Sequence, residues 1–340
     1  MIAEALSRLL AGENLTGSQA RSAMDQVMGG EATPVQVSAF LVALRMKGET
    51  TEEIAGCAEA LRGRAVRVTP TAQNLVDTAG TGGDGAGTFN ISTAAALVAA
   101  SAGASLAKHG NRAVSSSSGS ADVLQALGVA IELPPEQIAR SIDELGFGFL
   151  FAPAHHAAMR NVATTRRELG TRTVFNVLGP LTNPAGARRQ LVGVYEAALV
   201  SRLARVLDRL GAEHALVVHG AGGVDELTPI GANVLCEVHE GRITESQLDP
   251  ADLGMRRCSL ADLAGSSPEE NAATIRAIIT GREHGPRRDT VLLNAAAALL
   301  VASRADSIAT GVERAAHAID SGQAVRRLDE LVAFSQEIGG

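Results

Sequence analysis

The stretch at residues 80–93, GTGGDGAGTFNIST, decides the fold of this chain. It follows a short apolar run at Leu75 and Val76, and it precedes an alanine-rich run at residues 94–102 that has the spacing of a buried helix. A strand, a glycine loop and a helix start in this order can hold a phosphate, because glycine permits close backbone approach and free helical N–H groups face the anion. The sequence therefore predicts a phosphate-binding loop here.

The segments around and after this loop alternate between strand and helix patterns. We expect strands at residues 75–78, 105–107, 147–151, 191–194 and 215–219. We expect helices at residues 121–127, 135–145, 199–210 and 289–302, a helix opening at Pro268, and a hairpin at residues 233–247 that turns at Glu240 and Gly241. This alternation predicts an α/β fold with a mostly parallel sheet and helices on both faces.

The first 65 residues or so contain helix signals only. Three helix starts show the capping-box pattern, in which a threonine and a residue three positions later satisfy free backbone donors: Thr16 with Gln19, Thr33 with Gln36, and Thr50 with Glu53. We predict a smaller all-helical domain over residues 1–70, joined by helices from about 155–185, and an α/β domain over residues 71–340. The helical part carries no catalytic constellation, so we expect it to support a lid or a dimer surface.

The composition limits the classes of function. The 340 residues are 46% hydrophobic and 20% charged, as in an ordinary soluble enzyme. A net charge of -7 and an aromatic content of 2% argue against a nucleic-acid binder, which usually shows a basic face or stacking aromatic rings. The three cysteines are far apart, the N-terminus has no signal-peptide pattern, and the apolar runs are too short to span a bilayer. We expect a cytoplasmic protein with neither nucleic-acid nor membrane partners.

The glycines at 80, 82 and 85 also match G-x-G-x-x-G, the fingerprint of a dinucleotide-binding loop. That fingerprint expects an acidic residue about 20 positions further on, where this chain has Lys108. Asp84 would also repel a pyrophosphate unless a metal ion or a ribose hydroxyl faces it. The dinucleotide interpretation is disfavoured, and a simple tight turn remains the alternative to a phosphate loop.

A second cluster, KHGNRAVSSSSGS at residues 108–120, begins at the end of a predicted strand. It supplies cations, hydroxyl groups and flexible backbone at the carboxyl edge of the sheet, where ligands bind in this architecture. A serine-rich linker is the alternative, but a linker would not be expected to open with KHGNR and close on a helix. We favour a second anion-binding loop.

Further candidates are carboxylates, histidines and arginines. Asp225 and Glu226 follow the strand at 215–219, and adjacent carboxylates on a loop suit Mg2+ that bridges to substrate phosphates. His155-His156 and Arg166-Arg167 bracket a predicted helix. His156 and Arg166 are about three helical turns apart, so both can touch one small ligand only if the helix breaks between them. Adjacent histidines rarely chelate one ion, so we expect no metal there.

Four segments together, GTGGDGAGTFNIST, KHGNRAVSSSSGSAD, RRELGTRTVFNVLGPLTNPA and GVDELTP, resemble the anthranilate phosphoribosyltransferase family in order and spacing. The resemblance covers nearly the whole chain. It implies a homodimer with a small helical domain and a larger α/β domain. It also implies transfer of ribose phosphate from phosphoribosyl pyrophosphate (PRPP) to the amino group of anthranilate in tryptophan biosynthesis, with two Mg2+ ions per subunit.

The resemblance also implies roles for individual residues. PRPP would be held by two groups of residues in the anion loops: Gly80, Gly83, Asp84, Thr88, Asn90, Ile91, Ser92 and Thr93, then Lys108, His109, Gly110, Asn111, Arg112, Ala113, Val114, Ser115, Ser116 and Ser120. Mg2+ would be bound by Ser92, Asp225 and Glu226. Anthranilate would contact Gly80, Asn111 and Arg166, in a pocket lined by His109 and His156. Ala157 stands where the family pattern has proline, which puts no functional group in doubt.

Two rival functions stay open at this point. A pyrimidine nucleoside phosphorylase of the same architecture would use free phosphate, and it would not need the full set of Asp225, Glu226 and RRELGTRTVFNVLGP. A non-catalytic relative that binds nucleic acid would need a basic groove, which the acidic balance of the chain argues against.

Overall fold

The computed structural model describes residues 1–113 and 117–339. The chain begins with four helices: α1 (Ile2–Leu10), α2 (Gly17–Gly29), α3 (Pro34–Lys47) and α4 (Thr51–Arg64). The last three of them start at the predicted capping boxes, and in each box both reciprocal hydrogen bonds are present. The expected bundle of four helices is confirmed.

A single sheet of seven strands forms the centre of the described residues: β1 (Leu75–Thr78), β2 (Ser105–Gly110), β3 (Phe147–Phe151), β4 (Arg189–Gly193), β5 (His214–His219), β6 (Asn233–His239) and β7 (Arg242–Leu248). Their order is β3-β2-β1-β4-β5-β6-β7. The first five strands are parallel, and β6 and β7 form the predicted antiparallel hairpin. The mostly parallel sheet is confirmed.

Eleven further helices connect the strands and close the chain within the described residues: α5 (Ile91–Ser101), α6 (Ser120–Ala126), α7 (Pro135–Leu145), α8 (Ala152–His155), α9 (Arg160–Leu169), α10 (Phe175–Leu178), α11 (Ala198–Arg209), α12 (Pro268–Ile279), α13 (Pro286–Val301), α14 (Ile308–Asp320) and α15 (Gln323–Gly339). Helix α7 and strand β3 have the predicted bounds. Strand β2 runs to Gly110, three residues beyond the prediction, because Lys108 and His109 are buried despite their polar side chains.

The sheet separates two hydrophobic cores, because successive side chains of a strand point to opposite faces. On one face, Leu216 and Val218 of β5 pack in a core with α5 and α13. On the other face, Val217 of β5 lies in a core with α11, the four N-terminal helices and residues 162–181. Helices therefore cover both faces, as predicted.

Three loops meet at the carboxyl edge of the parallel strands: the glycine loop after β1, the loop after β2, and the loop after β5. Strand order reverses at β1, which has β2 on one side and β4 on the other. Ligands of open α/β sheets bind outside the carboxyl ends of the strands at such a reversal. No helix in the described part of the chain is long and apolar enough to cross a membrane.

Candidate active site

A cavity of about 830 Å3 opens at the carboxyl edge of the sheet. Its walls come from the glycine loop, the loop after β2, residues 152–182, and the loop after β5. Every predicted site residue that the structure describes lines this cavity: Gly80, Gly83, Asp84, Thr88, Asn90, Ile91, Ser92, Thr93, Lys108, His109, Gly110, Asn111, Arg112, Ala113, Ser120, His156, Arg166, Asp225 and Glu226. The predicted residues Val114, Ser115 and Ser116 lie outside the described residues.

The glycine loop closes onto the loop after β5. The backbone N–H of Gly82 donates to Asp225 Oδ2 at 2.7 Å. A Cβ atom on Gly80 would lie 2.4 Å from the same carboxylate oxygen, so only glycine leaves room for Asp225. Gly82 and Gly83 have φ angles of 64° and 73°, a backbone region that favours glycine. The loop therefore requires its glycines for conformation and for close approach.

The start of α5 points into the cavity. The backbone N–H of Ser92 donates to Glu226 Oε1 at 3.1 Å, so a carboxylate faces the positive end of the helix dipole. Asn90, the residue before the helix, donates from Nδ2 to the Ser118 carbonyl at 3.0 Å and accepts at Oδ1 from Asn271 Nδ2 at 3.0 Å. The helix start is thus tied to the second loop and to α12.

Carboxylates interact in pairs where the glycine loop meets the loop after β5: Asp84 with Asp225, and Asp225 with Glu226. Asp84 Oδ2 accepts from the backbone N–H of Asp225 at 3.2 Å, and Asp225 is followed directly by Glu226. Burial, together with the charge of Asp84, raises the pKa of Asp225 to about 7. Burial and the neighbouring Asp225 raise the pKa of Glu226 to about 8. Neighbouring buried carboxylates whose pKa values are raised in this way fit a hard divalent ion such as Mg2+, whose charge would offset their repulsion.

Lys108 is the buried cation of the site. Its side chain is 1% exposed, and Nζ donates to the Thr78 carbonyl at 2.8 Å and to Ser92 Oγ at 3.2 Å. Burial lowers the pKa of Lys108, whereas the charges of Asp77, Glu226 and Asp225 oppose that shift. Lys108 therefore lies between the helix start and the carboxylates, where it can reach an anion in the cavity.

Asp122 fixes the second anion loop. Its Oδ2 accepts from the backbone N–H groups of Ala113 and Gly119, both at 2.9 Å, and its Oδ1 pairs with Arg112 at 3.0 Å. A Cβ atom on Gly119 would lie 2.4 Å from the Ala113 nitrogen. The two ends of this loop are therefore held together, which a free linker would not require.

The helix expected between His156 and Arg166 is broken at His156. Helix α8 ends at His155, a 3₁₀ turn spans Ala157–Met159, and α9 begins at Arg160. His156 has φ -118° and ψ 54°, outside the helical region. The break brings His156 and Arg166 to the same cavity, which is the condition that the sequence set for both to touch one ligand.

The neutral imidazole rings of His109 and His156 lie together on one wall of the cavity. The rings of His109 and His156 lie 5.1 Å apart, and His109 Nδ1 is 3.3 Å from the Gly179 carbonyl oxygen. Burial and the neighbouring His156 lower the pKa of His109 to about 3. Burial and the neighbouring His155 lower the pKa of His156 to about 4. Both rings are therefore uncharged near neutral pH.

Arg166 supplies the cation of the same wall. Its guanidinium carbon lies 5.0 Å from the centre of the Phe175 ring, within cation–π distance. Burial lowers the pKa of Arg166. Its sequence neighbour Arg167 is exposed. The two adjacent arginines therefore differ in their surroundings, and only Arg166 faces the cavity.

The sequence reasoning missed several supporting residues. Asn183 Nδ2 donates to Asp77 Oδ2 at 2.7 Å, and Asp77 Oδ1 accepts from the backbone N–H of His109 at 3.1 Å. Both side chains are buried. Arg172 donates to the Gly83 carbonyl and lies 3.8 Å from the centre of the Tyr195 ring. Both Asn183 and Arg172 belong to the quoted segment RRELGTRTVFNVLGPLTNPA, but only the structure shows their contacts.

Comparison with known proteins shows which protein family this chain resembles. Residues 3–65 match the model of the glycosyl transferase family helical bundle domain, and residues 72–325 match that of its a/b domain. The anthranilate phosphoribosyltransferase of Chloroflexus aurantiacus is 54% identical over 336 residues, which cover 98% of this chain and 99% of the relative. That of Symbiobacterium thermophilum is 53% identical over 333 residues, which cover 98% and 97%.

Solved structures agree over the full length. The anthranilate phosphoribosyltransferase of Thermus thermophilus superposes with a TM-score of 0.93 at 47% identity, covering 98% of this chain and 99% of that chain. The Saccharomyces cerevisiae enzyme in complex with PRPP and Mg gives 0.91 at 29% identity, covering 99% and 98%. The two family models, the full-length relatives and the shared fold lead to one conclusion: this chain is an enzyme of the anthranilate phosphoribosyltransferase family.

Proposed function

We propose that the cavity at the carboxyl edge of the sheet carries out the reaction of this family. The chain transfers the 5-phosphoribosyl group of PRPP to the amino group of anthranilate, and it releases pyrophosphate in tryptophan biosynthesis. The observation that carries the assignment is the pairing of two unlike walls in one cavity. One wall has glycine loops, Lys108 and carboxylates, and the other has neutral imidazoles with Arg166.

The donor wall suits PRPP. Backbone N–H groups at the start of α5, together with those of the loop after β2, are donors for phosphate oxygens. Lys108 lies between these two sets and can stabilise the charge that develops on the departing pyrophosphate. The proposed donor-binding residues are those named for PRPP in the sequence, within residues 80–93 and 108–120.

Mg2+ is the metal that we assign to this wall, at two ions per subunit, and the related yeast enzyme was solved with PRPP and Mg. Asp225, Glu226 and Ser92 would hold it, since carboxylate and hydroxyl oxygens are the ligands that Mg2+ prefers. When bound, Mg2+ would neutralise phosphate charge and ease the departure of pyrophosphate. Without it, the adjacent carboxylates would repel PRPP.

The acceptor wall suits anthranilate. The guanidinium group of Arg166 matches the geometry of a carboxylate, and it lies within cation–π distance of Phe175. The same related yeast enzyme was also solved with 4-fluoroanthranilate. His109 and His156 are uncharged and can accept a hydrogen bond from the amino group without repelling an electron-rich ring. Gly80 and Asn111 would complete this contact surface.

The chemistry requires orientation more than a strong base. As the bond from ribose C1 to pyrophosphate lengthens, the ribose becomes cation-like and the amine adds from the opposite face. Two walls that hold the reactants across one cavity convert this encounter into an oriented step. This agrees with the described cavity, where His109 and His156 have strongly lowered pKa values and would be weak bases.

A fluorescence assay tests the proposed function. Purified protein, anthranilate, PRPP and Mg2+ are mixed, and the loss of anthranilate fluorescence is followed. We expect turnover only when all three components are present. Folded protein that consumes no anthranilate under these conditions would refute the assignment, and so would turnover with free phosphate and a nucleoside in place of PRPP.

We also propose that the chain forms a homodimer through its helical part. Val35, Ala39, Val42 and Met46 follow one another at spacings of four, three and four along α3, and all are exposed. Leu10, at the end of α1, is 78% exposed. Such a stripe of apolar residues on one helix face favours a protein partner, and a second copy would cover it symmetrically.

Light scattering coupled to size exclusion tests the dimer. Val42→Glu combined with Met46→Glu should shift the mass from two chains to one, because charge would be buried at the interface. Ile243→Glu, which places one such charge on an apolar residue 37% exposed on β7, is the control and should leave the mass unchanged. A wild-type protein of single-chain mass would contradict the proposal.

The cysteines, all unpaired, agree with a reducing compartment, and we propose the cytoplasm.

A further inference from the structure

A second cluster of ligating side chains lies at the opposite edge of the sheet from the cavity. His214 is the first residue of β5, and Glu237 and His239 belong to the end of β6. One potential ligand atom from each lies within 4.8 Å of the other two, and no other such group of three was found among the described residues. The reaction proposed above makes no use of these side chains.

Strand pairing explains why the three side chains meet. His214 pairs directly with His239 in the antiparallel register of β5 and β6. Glu237 is two residues before His239, so both point to the same face of the sheet. The imidazole rings are stacked with centres 4.1 Å apart and planes 13° apart, and His214 Nε2 lies 2.7 Å from Glu237 Oε1. Regular strand geometry therefore holds all three in place.

One nitrogen of this cluster is left without a partner. His214 is 3% exposed, and its Nδ1 atom is buried with no hydrogen-bond partner. Nε2 faces Glu237, so it is the nitrogen that can share an ion with that carboxylate, and binding would move the ring proton to the unpartnered Nδ1. Glu237 is half-buried and His239 is exposed, so the cluster can be reached from solvent.

We propose that His214, Glu237 and His239 form a binding site for a divalent transition-metal ion of the zinc type. Two imidazoles and one carboxylate form a ligand set that Zn2+ accepts in tetrahedral geometry, with water in the fourth position. Small rotations of the exposed His239 and the half-buried Glu237 would bring the ligand atoms to bonding distance. Mg2+ prefers a shell of oxygens, so the two metals would occupy different ends of the sheet.

Two arginines neighbour this site: Arg189 beside His214 on β4, and the exposed Arg242, which pairs with His239 in the hairpin. The closest described cation that affects His214 is Arg189, which neighbours it on β4. Its guanidinium is already engaged, because it pairs with Glu213 at 3.3 Å and donates to the Val301 carbonyl at 2.8 Å. The ion would join the first residue of β5 to the last residue of β6. Its expected effect is stabilisation of this strand pair, with no participation in the reaction.

Calorimetric titration with Zn2+ tests the site, using the full chain in saturating Mg2+ so that the carboxylates of the cavity are occupied. We expect one Zn2+ per chain. His239→Ala removes an exposed ligand at little risk to folding, and it should weaken Zn2+ binding at least about tenfold. His284→Ala, which removes an exposed histidine far from the cluster in sequence, is the matched control and should leave the affinity unchanged.

Two further readouts separate this site from other metal binding. Co2+ in place of Zn2+ should give the visible absorption of a tetrahedral ion in the wild type and in Glu237→Asp, but not in His239→Ala. Zn2+ should raise the Tm of the wild type and not that of His239→Ala, since an ion that binds only the folded state stabilises it. Equal Zn2+ affinity in the wild type and His239→Ala would overturn the proposal, as would the absence of binding to the wild type.

Discussion

The two walls of the cavity solve opposite electrostatic problems. The donor wall contains Asp84, Asp225 and Glu226, whose repulsion raises the pKa values of the last two and would be relieved by a bound cation. The acceptor wall contains His109 and His156, which burial keeps uncharged, and the half-buried cation Arg166 beside Phe175. From this difference we infer that the donor wall stabilises the charge of its ligand, whereas the acceptor wall orients its ligand. Breaking each wall separately should therefore give different kinetic signatures.

The largest effect is expected on the donor wall. Glu226→Gln keeps the shape of the side chain and removes a negative charge that we propose binds Mg2+. We expect kcat/KM to fall by about 10²- to 10³-fold, with a higher Mg2+ requirement, because stabilisation of the leaving group would be lost. Steady-state rates measured at several Mg2+ concentrations check this. Glu196→Gln, an exposed glutamate after β4, is the control, and equal rates for both variants would contradict the assignment.

The next change affects the junction of the walls. The Cβ of Gly80→Val would lie 2.4 Å from Asp225 Oδ2 and would displace that carboxylate. We expect loss of catalysis on the order of 100-fold, with the use of both substrates impaired, because small misplacements at a reacting centre have effects of this size. Steady-state kinetics with each substrate varied in turn measures it. Gly63→Val, at an exposed position where a Cβ meets nothing within 4 Å, is the control. Normal kinetics for the Gly80 variant would refute this placement.

A smaller and more selective effect is expected on the acceptor wall. Arg166→Ala should raise the KM for anthranilate roughly 10- to 100-fold and change the KM for PRPP little, since a charge-assisted hydrogen bond is worth about 1.5–3 kcal/mol. The comparison with Arg167→Ala is informative because that neighbour is exposed. Similar increases in the two KM values would count against a role for Arg166 in binding the acceptor alone.

The smallest effect on activity is expected at Asp77, the buried carboxylate that accepts hydrogen bonds from the His109 backbone and from Asn183. Burial raises the pKa of Asp77 from 3.8 to about 6, so the folded state holds this proton more tightly than the unfolded state does. The contribution of Asp77 to stability therefore declines as pH rises from about 4 to 6. Asp77→Asn does not titrate, so its unfolding free energy relative to wild type should rise over this interval, on the order of 2 kcal/mol. Urea denaturation of both proteins between pH 4 and 8 measures this difference, and a difference that does not change with pH would show that Asp77 is not the source.

Much of the fold could be predicted from the sequence because its signals are local. Capping boxes such as that of Thr50 and Glu53 use residues three positions apart, and the turn at Glu240 and Gly241 needs only two residues in left-handed backbone. The walls of the site were predicted through motifs that repeat a family pattern. All described residues of that set do line one cavity, while their individual roles stay predictions.

The errors have a common physical origin in contacts between distant segments. The break at His156 carries no glycine or proline at that position, and the chain turns there without a local signal. Strand β2 continues through Lys108 because groups of the adjacent strand β1 accept its hydrogen bonds. The Thr78 carbonyl accepts from Lys108 Nζ, and Asp77 Oδ1 accepts from the backbone N–H of His109. Helix α5 begins at Ile91, three residues before the alanine-rich run, because Ile91 packs in the core while Ser92 and Thr93 line the cavity. Single-sequence patterns do not contain such information.

The separation of the two cores by the sheet has a consequence for how the enzyme loses activity. The helix that follows the glycine loop is anchored in the core on one face, through Ile91 and the alanines of α5. The acceptor wall is anchored in the core on the other face, through Val162 and Phe175. The residues that we propose only for PRPP and those of α9 and α10 that we propose for anthranilate thus rest on different folding layers. A partial melting of one layer should weaken the binding of one substrate more than that of the other, so PRPP and anthranilate should protect partly different backbone amides from hydrogen exchange.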